Sequence, residues 1–398
     1  MGQPQHPAPG RFRLLSGDPA GAARGGTRRT AASVRQTRPG NRAMNTALRA
    51  LSVCLLLAAS AWSSSGAADA QQAPTVIRIG VPDLSTRNQP YAPGLLGIAH
   101  DQRQLEQAFE ASGTRIEWHF FRGAGPAINE ALANGQLDVA ALGDLAAIIG
   151  RASGLETRVL MGSRGTNMFL ASRPQANIRR VEDLEGKRVA VYRGTADQLS
   201  FGRMLAGVGL SERDVKVISL DWTAAGAALL AGQIDATWSN YNVLQLRDKG
   251  LVVPLSTRTS SLQATTQGTL LATQAFIDRY PEATQTLVEV LVDNAAALID
   301  PARYEQYLVD QERASGIPLA LAREESEGMD QRFRFSPRLD PFLAASLDAS
   351  MRQARELRLI RRQFDVGQWF EPRFVEQAVA RHGLSPWPRY DAEGKALP

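Results

Sequence analysis

The chain has 398 residues, one cysteine and a nominal charge of +5. Residues 1–43 hold eight arginines and one acid, whereas the sequence beyond residue 70 has 36 basic and 38 acidic residues, a balance near −2. The basic total therefore gives no argument for a nucleic-acid partner, and a body without cysteine excludes disulfides, a thiol nucleophile and a Cys-based metal site.

Residues 1–43 are rich in Gly, Pro, Ala and Arg without an apolar face, which predicts a disordered upstream extension. Met44 opens a second start. Arg49, the apolar run Ala50 to Trp62 and the small-x-small site Ala68-Asp69-Ala70 read as a secretory signal peptide over 44–70. The run is too short for a membrane span. Translation is therefore expected to begin at Met44, with 1–43 not part of the product. A basic nucleic-acid-binding arm is the alternative, and it lacks interleaved aromatics. Cys54 lies in a poor lipoprotein box, because Val53 before it is large and the apolar run continues past it.

Beyond residue 75 strands and helices alternate. Val76 to Val81 is a first strand, and Leu95 to Ala111 is a helix stopped by Gly113. Arg115 to Phe121 alternates as a second strand, and Gly123-Ala124-Gly125 leads into a helix with Pro126 at its first position. Asp138 to Leu142 is a third strand, followed by a helix that Asp144 caps. Arg188 to Tyr192 is a short Val- and Ala-rich strand. Thr195 and Gln198 then predict a capping box at the next helix. Asp214 to Leu220 is a further strand. After Phe276 the chain turns mostly helical, with amphipathic stretches over 281–299 and 339–359 and a last helix from Glu371-Pro372 to Gly383. The Pro-rich tail 385–398 is expected to be loose.

Ala131-Leu132 and Gly135 to Asp138 are echoed 97 residues later by Ala228-Leu229 and Gly232 to Asp235. A common helix–Gly–strand junction recurring by chance explains this as simply as two similar α/β units. The order of flanking elements favours the second. The expected architecture is α/β and two-lobed, each lobe a mostly parallel sheet flanked by helices. Lobe 1 is expected over 76–168 and 273–384, lobe 2 over 172–268, with crossings at 168–172 and 269–273.

The order of motifs resembles the periplasmic substrate-binding proteins of ATP-binding-cassette importers, in the aliphatic sulfonate, taurine and nitrate branch. The motifs are Ile77 to Gly80, Gly123 to Pro126 with Glu130-Ala131-Leu132, and Gly135 to Asp138 with Gly143-Asp144. Asp183 to Val191 with Gly194-Thr195, and Gly232 to Ala236 with Trp238, complete the set. The sequence departs from that pattern at Leu145-Ala146-Ala147 and Ser239-Asn240-Tyr241, where prolines and an acid-Pro-Tyr are usual.

The resemblance implies the type II periplasmic-binding-protein fold, with ligand between the lobes at the carboxyl ends of the strands. It implies a periplasmic location, an inner-membrane permease and its ATPase as partners, a monomer, no cofactor, no catalysis and a small anionic or zwitterionic solute, an aliphatic sulfonate first. Thiamine-pyrimidine chemistry on the same fold and a ligand-binding partner of a sensor are the alternatives.

Candidate ligand contacts are Gly194, Thr195 and Ala196 at a helix start, where free amides suit an anion. Gly123 and Gly125 are candidates for amide contacts, Asp144 for an amine or hydroxyl, Trp238 for an alkyl body, and Asn240 and Tyr241 for polar contacts. Arg164, just before the first crossing, is a candidate partner for a sulfonate. Each has a plainer role: helix caps for Thr195 and Asp144, a loop for the glycines, a core indole for Trp238 and a solvated cation for Arg164. Asp197 is expected to face away from a bound anion. His100, His119 and His382 have no metal-ligand spacing, and no hydrolase or P-loop motif occurs.

Overall fold

The computed structural model describes residues 73–398 apart from 86–88, 123, 260–261 and 383–386. The expected upstream extension, the export signal with Cys54, the candidate contact Gly123 and the end of the last helix at Gly383 lie outside the described residues.

The first sheet contains β1 (Val76–Pro82), β2 (Arg115–Phe121), β3 (Val139–Gly143), β4 (Thr157–Thr166) and β10 (Thr266–Thr273), in the order β2-β1-β3-β10-β4. The second contains β5 (Phe169–Ser172), β6 (Arg188–Val191), β7 (Lys216–Ser219), β8 (Ala236–Ser239) and β9 (Val252–Ser256), in the order β7-β6-β8-β5-β9. Within each sheet the first three strands of that order are parallel, and the fourth runs antiparallel to both its neighbours. The chain crosses between sheets at residues 167–168 and returns after β9. The molecule is a two-lobed α/β structure with two crossing segments.

The duplicated Gly-Gln-apolar-Asp segment has a physical explanation. Asp138 receives the backbone amide, Nε and Nη2 of Arg78 at 2.7–2.9 Å, while Nη1 donates to Gly135 O at 2.7 Å. Asp235 receives the same three groups of Arg188 at 2.8–3.2 Å, and Nη2 also reaches Gly232 O at 3.4 Å. Gly135 and Gly232 both turn with positive φ, +65° and +75°. Each pair locks the start of one strand against its parallel neighbour, β3 against β1 and β8 against β6, so the echo marks one structural device built twice.

Helices cover these sheets. The first lobe carries α1 (Gly94–Asp101), α2 (Gln104–Phe109), α3 (Ala124–Ala133) and α4 (Asp144–Ser153). The second carries α5 (Ala196–Ala206) and α6 (Trp222–Leu230). The last third adds α7 (Gln274–Arg279), α8 (Pro281–Ala297), α9 (Pro301–Ser315), α10 (Leu319–Ser326), α11 (Gln331–Arg334), α12 (Pro341–Glu356), α13 (Val366–Trp369) and α14 (Arg373–Arg381). The apolar faces of α8, α12 and α14 join the first-lobe core through Leu287, Leu291, Leu343, Leu347 and Val375.

Several local expectations are corrected. The helix expected over 95–111 breaks at Arg103, which is left-handed at φ +53°. Asn294 bonds both pieces, to Leu95 O and Gln104 Oε1. The helix expected to open at Pro126 starts at Ala124. Gly143, in extended conformation, is the cap of α4, and Asp144 is its first helical residue. The long strand β4 was not legible, since its Gly, Ser and Arg content reads as loop. Gly162 is required because a Cβ there would lie 2.4 Å from Leu343 Cδ2. Strand β9 was missed too. The described part of the tail is packed rather than loose, with Trp387 and Tyr390 buried and Tyr390 bridged to Ala396.

Candidate functional site

The carboxyl end of β3 and the start of α5 meet where the two lobes touch. A Cβ on Gly143 would stand 2.8 Å from Ala196 Cβ, and one on Gly125 would stand 2.2 Å from Ala146 Cβ and 3.7 Å from Gly194 O. Glycine at 125 and 143 therefore permits this approach. Helix α5 is buried from Ala196 to Gly202. Its side chains join both lobes: Leu199 belongs to the first-lobe core and Phe201 to the second.

Beside this contact lies a cavity of about 280 Å³. Ala196 supplies the second lobe's part of its wall. Gly143, Ser163, Thr166, Thr266, Gln267 and Gly268 form the end near the crossing strands. Leu84, Leu96, Met161, Leu291 and Phe335 form much of the remainder. None of the described residues lining the cavity carries a charged side chain. It is an apolar chamber with a few neutral hydrogen-bonding groups, the usual make-up of a small-molecule site.

The helix start is built differently from a capping box. The Thr195 hydroxyl donates to Tyr192 O at 2.7 Å and caps no amide of the first turn. Gln198 Oε1 instead accepts the Gly194 amide at 3.0 Å, and its Nε2 donates to Glu212. Asp197 in the same turn is 7% exposed and accepts the Trp222 indole at 2.7 Å. Burial raises its pKa to about 6, against the opposing effect of the indole bond.

Asp144 is fully buried and faces a cross-lobe contact. Its Oδ1 accepts the Leu145 amide at 2.8 Å, and its Oδ2 accepts the Ser350 hydroxyl at 2.8 Å with Arg203 at 3.5 Å. Arg203, on α5, also donates to Ser350 Oγ at 3.1 Å and to Thr265 O at 3.0 Å. Gln353 of α12 donates to Leu199 O. Burial pushes the Asp144 pKa up and the Arg203 pKa down, each outweighing the attraction between them. These groups bolt α5 to α12 and α4, and no cysteine or histidine enters the contact.

The other sequence candidates divide. Gly125, Gly194, Thr195 and Ala196 come together at the contact, with Asp144 beside them. Tyr241 opens the 3-10 helix Tyr241–Lys249 of the second lobe and does not line the cavity, and burial pushes its pKa up to about 12. Asn240 accepts the Asn242 amide as the cap of the 3-10 helix Tyr241–Lys249. Trp238 is 1% exposed in the second-lobe core against Phe201 and does not line the cavity.

Arg164 does not line it either. Its side chain is completely buried and bonds both oxygens of Asp340 at 2.9 Å, among Phe333, Phe342 and Tyr390. From the sequence the loop Leu84 to Tyr91 reads as a candidate cleft wall, and Leu84 lines the cavity; the rest of the apolar lining and the Asp144–Arg203–Ser350 contact were not legible. Positions 84, 96, 161, 291 and 335 meet only in the folded chain. Thr266-Gln267-Gly268, next to the expected crossing at 269, was the available signal. Among the described residues no group of His, Cys, Asp and Glu could hold a metal, and no helix is long and apolar enough to cross a membrane.

Residues 119–303 match the family model described as NMT1/THI5 like. A Bacillus subtilis (strain 168) protein named as an aliphatic sulfonates-binding protein is 28% identical over 219 residues, 54% of this chain and 62% of that protein. The taurine-binding periplasmic protein of Escherichia coli (strain K12) is 26% identical over 225 residues, covering 54% and 69%. The chain thus spans about three fifths to two thirds of the length of these relatives. Among solved structures, a periplasmic sulfonate-binding protein from Methylobacillus flagellatus KT superposes with a TM-score of 0.70 at 25% identity, covering 80% of this chain and 98% of that one. The two-lobed architecture is therefore the periplasmic-binding-protein fold.

Proposed function

We propose that this chain, whose residues 119–303 belong to the NMT1/THI5-like family, is an extracytoplasmic solute-binding protein. It captures a small organic anion, first an aliphatic sulfonate, between its lobes and hands it unchanged to an ATP-binding-cassette permease and its ATPase. The observation that carries this reading is the cavity beside the Gly143–Ala196 contact, to which both lobes contribute. The names of the relatives support the solute class.

In this reading the head group meets the first turn of α5. The Ala196 amide is the first of the helix and lies beside Gly143 at the cavity wall. The positive end of the helix dipole supplies charge complementarity without a cationic side chain. Gly125, Gly143 and Gly194 let the lobes close over the solute. Asn240 and Tyr241 are outside the lining and act in the cap and body of the second-lobe 3-10 helix. Asp144 acts in the closed contact rather than on the solute, and Arg164 and Trp238 act in the cores. Hinge closure about the two crossing segments is the motion required.

The full chain, unfolded and refolded to strip co-purified solute, is screened by thermal shift against sulfonates, carboxylates, nitrate and pyrimidines. A ligand at a hundredfold excess over Kd stabilises by about 2.7 kcal/mol. A rise in Tm with alkanesulfonates supports the reading. No rise with any sulfonate removes that solute class.

A further inference from the structure

We infer that the cavity selects a solute whose body, beyond its anionic head, is apolar and uncharged, and that it rejects zwitterions. The inference rests on the proposed capture of an organic anion in this cavity and adds which anions are taken.

With its head at α5, a bound solute sets its body against the rest of the cavity wall. Apart from Ala196 and a few neutral polar groups, the wall is apolar and includes Leu84, Leu96, Met161, Leu291 and Phe335. Met161 is 2% exposed and Leu291 likewise. An ammonium buried there finds no carboxylate, since none of the described residues lining the cavity is an acid. The nearby acid that is fully buried, Asp144, has both oxygens engaged by the Leu145 amide, Ser350 and Arg203. Asp197 holds the Trp222 indole and lies outside the lining. A cation stripped of water without a partner is strongly disfavoured.

Size points the same way. About 280 Å³ corresponds to roughly nine water molecules at ~30 Å³ each. An inorganic anion such as nitrate leaves most of that apolar wall uncovered. A chain of several carbons covers it, and each buried methylene contributes through the hydrophobic effect.

The test compares isosteres by calorimetry on the refolded full chain: propane-1-sulfonate against taurine, and butyrate against β-alanine, with hexane-1-sulfonate as the longer homologue. Propane-1-sulfonate is expected to bind at least ~30-fold more tightly than taurine. Hexane-1-sulfonate is expected to bind roughly tenfold or more tightly than propane-1-sulfonate. In Leu84→Asp, which sets a carboxylate in the wall, the preference should move at least ~10-fold toward taurine.

Taurine binding as tightly as propane-1-sulfonate overturns the inference while leaving the sulfonate reading intact. If sulfonates do not bind but butyrate is preferred over β-alanine, the sulfonate head falls and the apolar selection stands. Binding of neither series overturns both. An unchanged preference in a folded Leu84→Asp protein counts against the lining as its source.

Discussion

Two buried charges show how residue identity and role separate. Arg164 is an arginine at the end of a strand beside a crossing, where a sulfonate partner is a reasonable expectation. Its surroundings decide otherwise: Nη1 donates to both oxygens of Asp340, Nη2 donates to Arg338 O, and three aromatic rings lie around the guanidinium. Removing one partner strands a buried charge, at a cost of about 3–5 kcal/mol. Arg164→Met should therefore lower stability by that order in urea denaturation while leaving the Kd of the folded protein within about threefold. A large loss of affinity at unchanged stability would return Arg164 to the site.

Asp197 gives a pH signature. Its carboxyl titrates near 6 when folded, above its ordinary value of 3.8. The folded state thus holds a proton that the unfolded state releases at lower pH. Stability from this group is retained below about pH 4, falls as pH rises through the window from about 4 to 6, and levels above it. Asp197→Asn keeps an acceptor for Trp222 and removes the titration. It should stabilise the protein by roughly 1–3 kcal/mol at pH 7.5 and by little at pH 4, a difference that chemical denaturation at the two pH values measures. Equal effects at both values would show that Asp197 is ionised throughout.

At the scale of elements, α5 is the part on which the two lobes depend. Its position was legible: a Val-rich strand, Gly194-Thr195 and an apolar helix. Its capping was not, because the Thr195 hydroxyl and the Gln198 side chain found different partners from those the spacing suggests. The duplicated Arg–Asp clamp was half legible, since the repeated Gly-Gln-apolar-Asp was visible but Arg78 and Arg188 lie 60 and 47 residues away from their acids. Strand β4 was hidden because a strand interior with Gly162, Arg164 and Gly165 makes sense only once Leu343 and Asp340 are in place.

Contact between α5 and β3 also sets a steric test. Gly143→Ala places a methyl group 2.8 Å from Ala196 Cβ. Overpacking of this kind costs about 1–3 kcal/mol, or roughly 5- to 150-fold in Kd if it falls on the closed, liganded state. Calorimetry should show that loss, with a more open small-angle scattering profile in the presence of solute. Wild-type affinity in Gly143→Ala would mean that close approach of Gly143 and Ala196 is not needed for capture.

For the whole molecule, both crossings are held by the helical last third of the chain. At the first, Glu325 of α10 accepts the Asn167 amide at 2.9 Å and pairs with Arg334 of α11 at 2.6 Å. Burial alone would lower the Arg334 pKa, and Glu325 more than reverses it. Within the second, just ahead of β10, Thr265 O accepts from Arg203, which also holds Ser350 of α12. Two lobes joined at two points can hinge, and side chains from α10 to α12 bias how far. Sequence order made the two lobes legible. It left the hinge partners unread, since they lie more than 140 residues apart in the chain.

Solute capture in the cavity between Ala196 and the first lobe is the central proposal. The most direct test is the calorimetric Kd of hexane-1-sulfonate for the refolded wild-type chain and for Ala196→Trp, whose indole would fill the cavity from the second lobe's side. Saturable binding at one site in the wild type, weakened by at least about 100-fold in a folded Ala196→Trp protein, is the predicted result. Equal affinity in the two proteins would contradict it and put the solute elsewhere.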